Sequence, residues 1–96
     1  METQITINGK QLKVKLGLKT LFRYEELNGK PFEYKKMEDS YKLLYAALLA
    51  HNPDYNQTYD EFLDSCDEDA EIFGEFVKLT EESAKLSQKK KSPANP

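Results

Sequence analysis

The chain has no tryptophan, one cysteine (Cys66) and one histidine (His51). A lone cysteine excludes an internal disulfide and suits a reducing compartment. One Cys and one His also fall short of a structural zinc site, which takes four ligands drawn largely from those two residue types. The four glycines, Gly9, Gly17, Gly29 and Gly74, are scattered, so no glycine-rich loop is available to cradle a phosphate. No apolar run exceeds the eight residues of "LLYAALLA" at 43–50, whereas a membrane-crossing helix needs about 20. Met1 is followed by Glu2, and no basic segment precedes an apolar one, so a secretory leader is not expected. A basic surplus is missing too. The net charge is −3 and the sequence pI about 5.2, the opposite of the basic stripe of a nucleic-acid binder. These absences lead us to expect an intracellular protein with no membrane or nucleic-acid partner and no cofactor.

Ninety-six residues make one domain, and six Tyr with five Phe supply enough bulk for a core. Charge is unevenly spread. Residues 1–50 carry nine Lys/Arg against six Asp/Glu, residues 51–88 carry two Lys against eleven Asp/Glu, and Lys89–Lys91 end the chain on a basic tip. The front is mildly basic and the back strongly acidic.

The stretch "TQITINGKQLKVKL" holds two alternating runs around Asn8-Gly9, the favoured pair for a type I′ hairpin turn. That turn sets Ile7 opposite Lys10, Ile5 opposite Leu12 and Thr3 opposite Val14. Ile5, Ile7, Leu12 and Val14 then share one face. A helix is expected over about 18–28 with Leu18, Leu21, Phe22 and Leu27 as its inner stripe, stopped at Gly29 and barred by Pro31. Residues 30–38 read as a connection with Phe32, Tyr34 and Met37, after which Asp39 or Ser40 caps a helix reaching about His51. "HNPDYNQ" reads as a loop. Thr58 and Glu61 stand three apart as in a capping box, opening a helix with the stripe Tyr59, Phe62, Leu63 and Cys66. Acidic "DEDAE" opens the last helix, where Ile72, Phe73, Phe76, Val77 and Thr80 fall on one face. The expected fold is α+β, mostly α: an N-terminal β-hairpin packed on a bundle of about four short helices. Its single domain spans 1–86, and 87–96 form a disordered basic tail.

"LLYAALLA" is apolar all round, and such a helix must be covered on every side. Placed at the centre, it takes the hairpin on one side and the two later helices on the other. Short helices cover it incompletely, leaving Tyr41, Tyr45 and Leu49 as material for a partner interface.

Catalytic chemistry finds little support. Cys66 lies on an apolar helix stripe, where a small buried thiol is the common role, and His51 sits in a last helical turn, where it can meet terminal carbonyls. A calcium loop starting at Asp54 puts Tyr59 where Gly must turn the chain and Ser65 where a bidentate Glu belongs, so the motif fails. The acidic block at 60–82 is a solvated helix face, a nucleic-acid mimic or a docking face for a basic partner, the first being the ordinary case. No enzymatic activity is expected.

Taken in order, the segments "ITINGKQLKVKLGLKTLFRYEELNGKPFE", "SYKLLYAALLAHNP" and "TYDEFLDSCDED" resemble the small tail assembly chaperones of long-tailed bacteriophages, over roughly residues 3–82. The resemblance implies a mostly helical protein with an N-terminal β element and no enzymatic activity. It implies a protein that acts in the host cytoplasm and is absent from the mature virion. It implies binding to the long helical tape measure protein, kept soluble until tail tube protein subunits polymerise around it, and assembly into homo-oligomers. It also raises a longer product made by frameshifting near Lys89–Lys91, which only the codons can reveal. On this reading Tyr41, Tyr45, Leu49, Phe73 and Phe76 are the candidate partner contacts. The alternative is a small regulatory adaptor or antitoxin-like protein that binds a basic partner through its acidic helices.

Overall fold

The computed structural model describes residues 2–91, and the side chains of residues 2–82. Strands β1 (Glu2–Ile7) and β2 (Lys10–Lys15) pair antiparallel as a two-stranded sheet. The register is the expected one, with Ile5 opposite Leu12 and Ile7 opposite Lys10. Asn8 and Gly9 form the turn at φ 53° and 80°, the left-handed region that Asn and Gly tolerate. Ile5, Ile7, Leu12 and Val14 are buried together, which is the alternation a half-buried sheet requires. β2 packs on α2 (Met37–His51) and β1 on α4 (Ala70–Lys91).

Helix α1 (Leu18–Asn28) ends at Gly29, whose φ of 73° lets its N–H close on the Glu25 carbonyl at 2.8 Å. The bounds match expectation, but the buried face does not. Thr20 and Tyr24 turn inward on α2, and Leu18, Leu21, Phe22 and Leu27 are all exposed. Tyr24 meets Phe32 edge-on at 5.2 Å between centroids. Thr20 can be fully buried because its hydroxyl donates to the Lys15 carbonyl.

Helix α2 begins at Met37, two residues before the earliest expected cap. Asp39 works from inside the first turn: its Oδ2 accepts the Lys35 and Lys36 amides at 2.8 and 3.0 Å. These two bonds hold the Asp39 carboxyl below its usual range. Leu43, Leu44, Ala46, Ala47 and Leu48 are buried, so most of "LLYAALLA" is covered within the domain. After His51, Asn52 turns back on the sheet. Its Oδ1 accepts the Lys13 amide at 2.9 Å, and its Nδ2 donates to the Lys13 carbonyl at 2.7 Å and the Leu48 carbonyl at 2.9 Å.

Helix α3 (Tyr59–Glu68) starts on the expected capping box: Glu61 N–H donates to Thr58 Oγ1 at 3.2 Å, and Thr58 N–H to Glu61 Oε1 at 2.8 Å. Phe62 and Ser65 are its buried residues, with Tyr59, Leu63 and Cys66 packed half-buried beside them. Asp69 then starts α4, its Oδ1 accepting the Glu71 amide at 3.0 Å. Ile72, Phe76 and Leu79 carry the buried stripe, while Phe73, Val77 and Thr80 flank it half-buried. The expected boundary at residue 86 falls inside α4, which runs to Lys91. Residues 92–96 of the expected tail lie outside the described residues. The α+β, mostly α architecture is thus as expected, with α2 touching every other helix and β2.

Candidate partner interface

The residues proposed from sequence as partner contacts fall into three situations. Phe76 is 1% exposed and belongs to the core, so it has no surface to offer. Tyr41 and Phe73 lie flat on each other, 4.0 Å between centroids and 11° between planes, half-buried at the α2–α4 contact. Such a stack satisfies both rings within the chain.

Tyr45 sits at the middle of an aromatic group with Tyr55, Tyr59 and Phe62, at 6.4, 5.4 and 5.4 Å. Its hydroxyl donates to the Gln57 carbonyl at 2.6 Å, tying α2 to the loop before α3. Burial raises the hydroxyl pKa of Tyr45, and of Tyr55 and Tyr59 further, so all three stay protonated donors at neutral pH. Tyr59 donates to Glu38 Oε2 at 3.3 Å. Leu49 is half-buried. These side chains mainly hold helices together.

Apolar side chains left in solvent gather elsewhere. Leu18 is 67% exposed, Leu21 41% and Phe22 60%, and their i, i+3, i+4 spacing puts them on one ridge of α1. Leu27 is exposed on another side of α1, where with Lys42, Tyr45 and Tyr59 it lines a shallow cleft between α1, α2 and α3. Tyr34 and Met37 are exposed ahead of and at the start of α2. The i, i+3, i+4 pattern of the α1 ridge is plain in the sequence. What the sequence did not reveal is its direction, because the inward face is carried by Thr20 and Tyr24, a polar and an amphipathic residue.

Leu18 also borders an open cleft of about 430 Å³ between β2, α1 and the end of α2. Lys13, Lys15, Lys19, His51 and Glu2 line the rest of it. His51 lies 3.3 Å by its Nε2 from Thr20 Oγ1. The Thr20 hydroxyl proton goes to the Lys15 carbonyl, which makes the imidazole Nε2–H the donor. Burial, then the nearby Lys19, Lys15 and Lys13, lower the His51 pKa, with Glu2 opposing. The imidazole is therefore neutral at pH 7, and the cleft's charge comes from its three lysines set against Glu2.

Cys66 is far from nucleophilic. Burial, then Asp67 and Asp69, push its thiol up to about 11, so little thiolate exists at neutral pH. Among the described residues no three His, Cys, Asp or Glu side chains group as metal ligands, and no helix is long and apolar enough to cross a membrane. Compared with protein-family models, curated proteins and solved structures, the chain matches none.

Proposed function

We propose that this protein is a tail assembly chaperone of a long-tailed bacteriophage, a non-enzymatic module that binds the tape measure protein and keeps it soluble in the host cytoplasm during tail morphogenesis. The observation that carries this reading is the exposed apolar ridge Leu18, Leu21 and Phe22 on α1. A rigid helix bearing a leucine–phenylalanine ridge suits a client helix with an apolar stripe of its own. The ordered resemblance of the β-hairpin, the "FRYEELNGKPF" helix and stop, "LLYAALLAHNP" and "TYDEFLD" supports the same class. An acidic exterior on α3 and the start of α4 suits a chaperone that must keep a sticky complex in solution. Tail tube subunits are the natural successors on the client, and several copies of the chain would coat one client.

Co-expression with the cognate tape measure protein tests this directly. The expected result is that the client moves from the insoluble to the soluble fraction and carries several copies of the chaperone. A client that stays insoluble with nothing bound counts against it.

The second reading is a regulatory adaptor or antitoxin-like protein that neutralises a basic partner. It is favoured by one observation: Asp60, Asp64, Asp67, Glu68, Asp69 and Glu71 are all exposed, and none is in an ion pair among the described residues. A small complex of fixed stoichiometry with a basic protein would support it instead.

A further inference from the structure

Resting on the chaperone reading, we propose that the client docks on α1, and that the chain selects client helices with an acidic end by laying that end over the Lys13–Lys15–Lys19 cleft. The apolar part of the contact is the ridge Leu18, Leu21 and Phe22. Leu18 belongs to both the ridge and the cleft, so apolar and basic surfaces are continuous there. Against the three lysines the cleft sets only Glu2, and His51 is uncharged. The other end of α1 has no such surplus of one sign. Glu25 stands exposed beyond Phe22, and Glu26 is engaged by Arg23 at 3.2 Å.

A helix lying along this face therefore meets a basic end and then an apolar ridge, with the single carboxylate of Glu25 beyond it. Favourable pairing fixes its polarity as well as its position. Two rivals for the same face fit less well. The acidic helices of a second copy carry the right charge, but among the described residues their large apolar side chains are buried or half-buried in its own core, Phe62, Ile72, Phe76 and Leu79 fully, and none is exposed to lay on Leu21 and Phe22. An α1-to-α1 dimer would rest on eleven-residue helices and three ridge side chains a copy, a short contact beside the surface of about 1,200–2,000 Å² that stable pairs bury. A small contact instead suits a client that is long and engaged by many copies, since linked weak contacts reinforce one another.

The test uses the full chain and two synthetic helical peptides with the same leucine stripe, one ending in Glu residues and the other in Lys residues. Amide shifts of the isotope-labelled protein report where each binds. The Glu-ended peptide should bind about tenfold more tightly at low salt, with the gap closing as salt screens the lysines. Its shifts should centre on α1 and β2. Leu21→Ser with Phe22→Ser should weaken binding about tenfold or more while leaving the thermal midpoint in place, since both side chains face solvent. Lys13→Glu with Lys19→Glu should reverse the preference between the peptides.

Equal binding of both peptides, shifts centred on α3 and α4, or concentration-dependent dimerisation abolished by Leu21→Ser would each overturn the proposal. The same Leu21→Ser, Phe22→Ser protein separates this from the chaperone reading itself. If it still solubilised the tape measure protein, the docking face would be wrong and the chaperone reading would stand. If the unaltered chain failed there too, the chaperone reading would fall with it.

Discussion

Asn52 does more bonding than any other side chain in the described part of the molecule. One amide group meets both backbone groups of Lys13 and also the Leu48 carbonyl, so it joins the end of α2 to β2. Removing it leaves both backbone groups of Lys13 to find water at an exposed place, while the Leu48 carbonyl keeps the Asn52 backbone N–H at 3.1 Å. Asn52→Ala should therefore lower unfolding free energy by about 1–2 kcal/mol in urea denaturation.

His51 next door makes stability depend on pH. Its folded-state pKa lies below the usual imidazole value because burial and Lys19, Lys15 and Lys13 disfavour the charged form, against a smaller opposing effect of Glu2. The unfolded chain then binds the proton first, so stability is present above about pH 6.5 and is lost as pH falls below it toward the folded-state value. Asp39 adds a second, separate loss. Its lowered pKa stabilises the fold above the ordinary carboxyl range and is given up only in stronger acid. Thermal midpoints measured from about pH 7.5 down to about pH 5.5 should fall, and His51→Gln should flatten that slope while leaving the acid limb.

At the scale of elements, α1 and α4 make a useful pair because both carry leucine and phenylalanine on helical spacing. In α4 the spacing faces the core: Ile72, Phe76 and Leu79 are buried. In α1 it faces water. Phe76→Ala should therefore cost about 3–5 kcal/mol, and Phe22→Ala no more than about 0.5 kcal/mol, a contrast that urea titration of the two variants resolves directly. Equal losses would mean that α1 turns its ridge inward in solution.

The contrast also marks what the sequence can and cannot convey. The hairpin register was legible because Asn8-Gly9 permits one tight turn, and a one-residue slip would send Ile5 and Val14 into solvent. The Thr58–Glu61 box was legible because its two hydrogen bonds are local. The start of α2 was misplaced because Asp39 accepts from residues behind it, acting as the third residue of the helix and not as its cap. The facing of α1 was illegible for a different reason. Periodicity says that a helix has an apolar side, and only the neighbours decide whether that side is covered. Thr20 gave no sign of being core because its hydroxyl is satisfied by Lys15, a partner that belongs to another element.

For the whole molecule, the aromatic side chains that looked like contact points mostly join helices to one another. Tyr45 links α2 to the loop at Gln57, and Tyr41 with Phe73 links α2 to α4. The candidate site was thus half legible. An exposed apolar surface was expected on α2 and α4, and the exposed apolar ridge lies on α1 instead. The segregation of charge survives folding, with lysines gathered around the sheet and the start of α1, and carboxylates exposed along α3 and the start of α4. Any partner bound through either region should be held less tightly at high salt, since such exposed charges are screened within about 8–10 Å.

One consequence follows from the hydrogen bonds at Lys13 and Lys15. A two-stranded sheet has an outer border on each strand, and an open border invites strands from other chains to add on. Along β2 that invitation is withdrawn: the Asn52 amide fills the place a third strand would take at Lys13, and the Thr20 hydroxyl takes the carbonyl of Lys15. Growth of β-structure from this side is blocked by two side chains standing in for a neighbour. Beside that filled border, what this side of the molecule leaves exposed for association is the helix ridge of α1 and not the edge of β2 at Lys13 and Lys15.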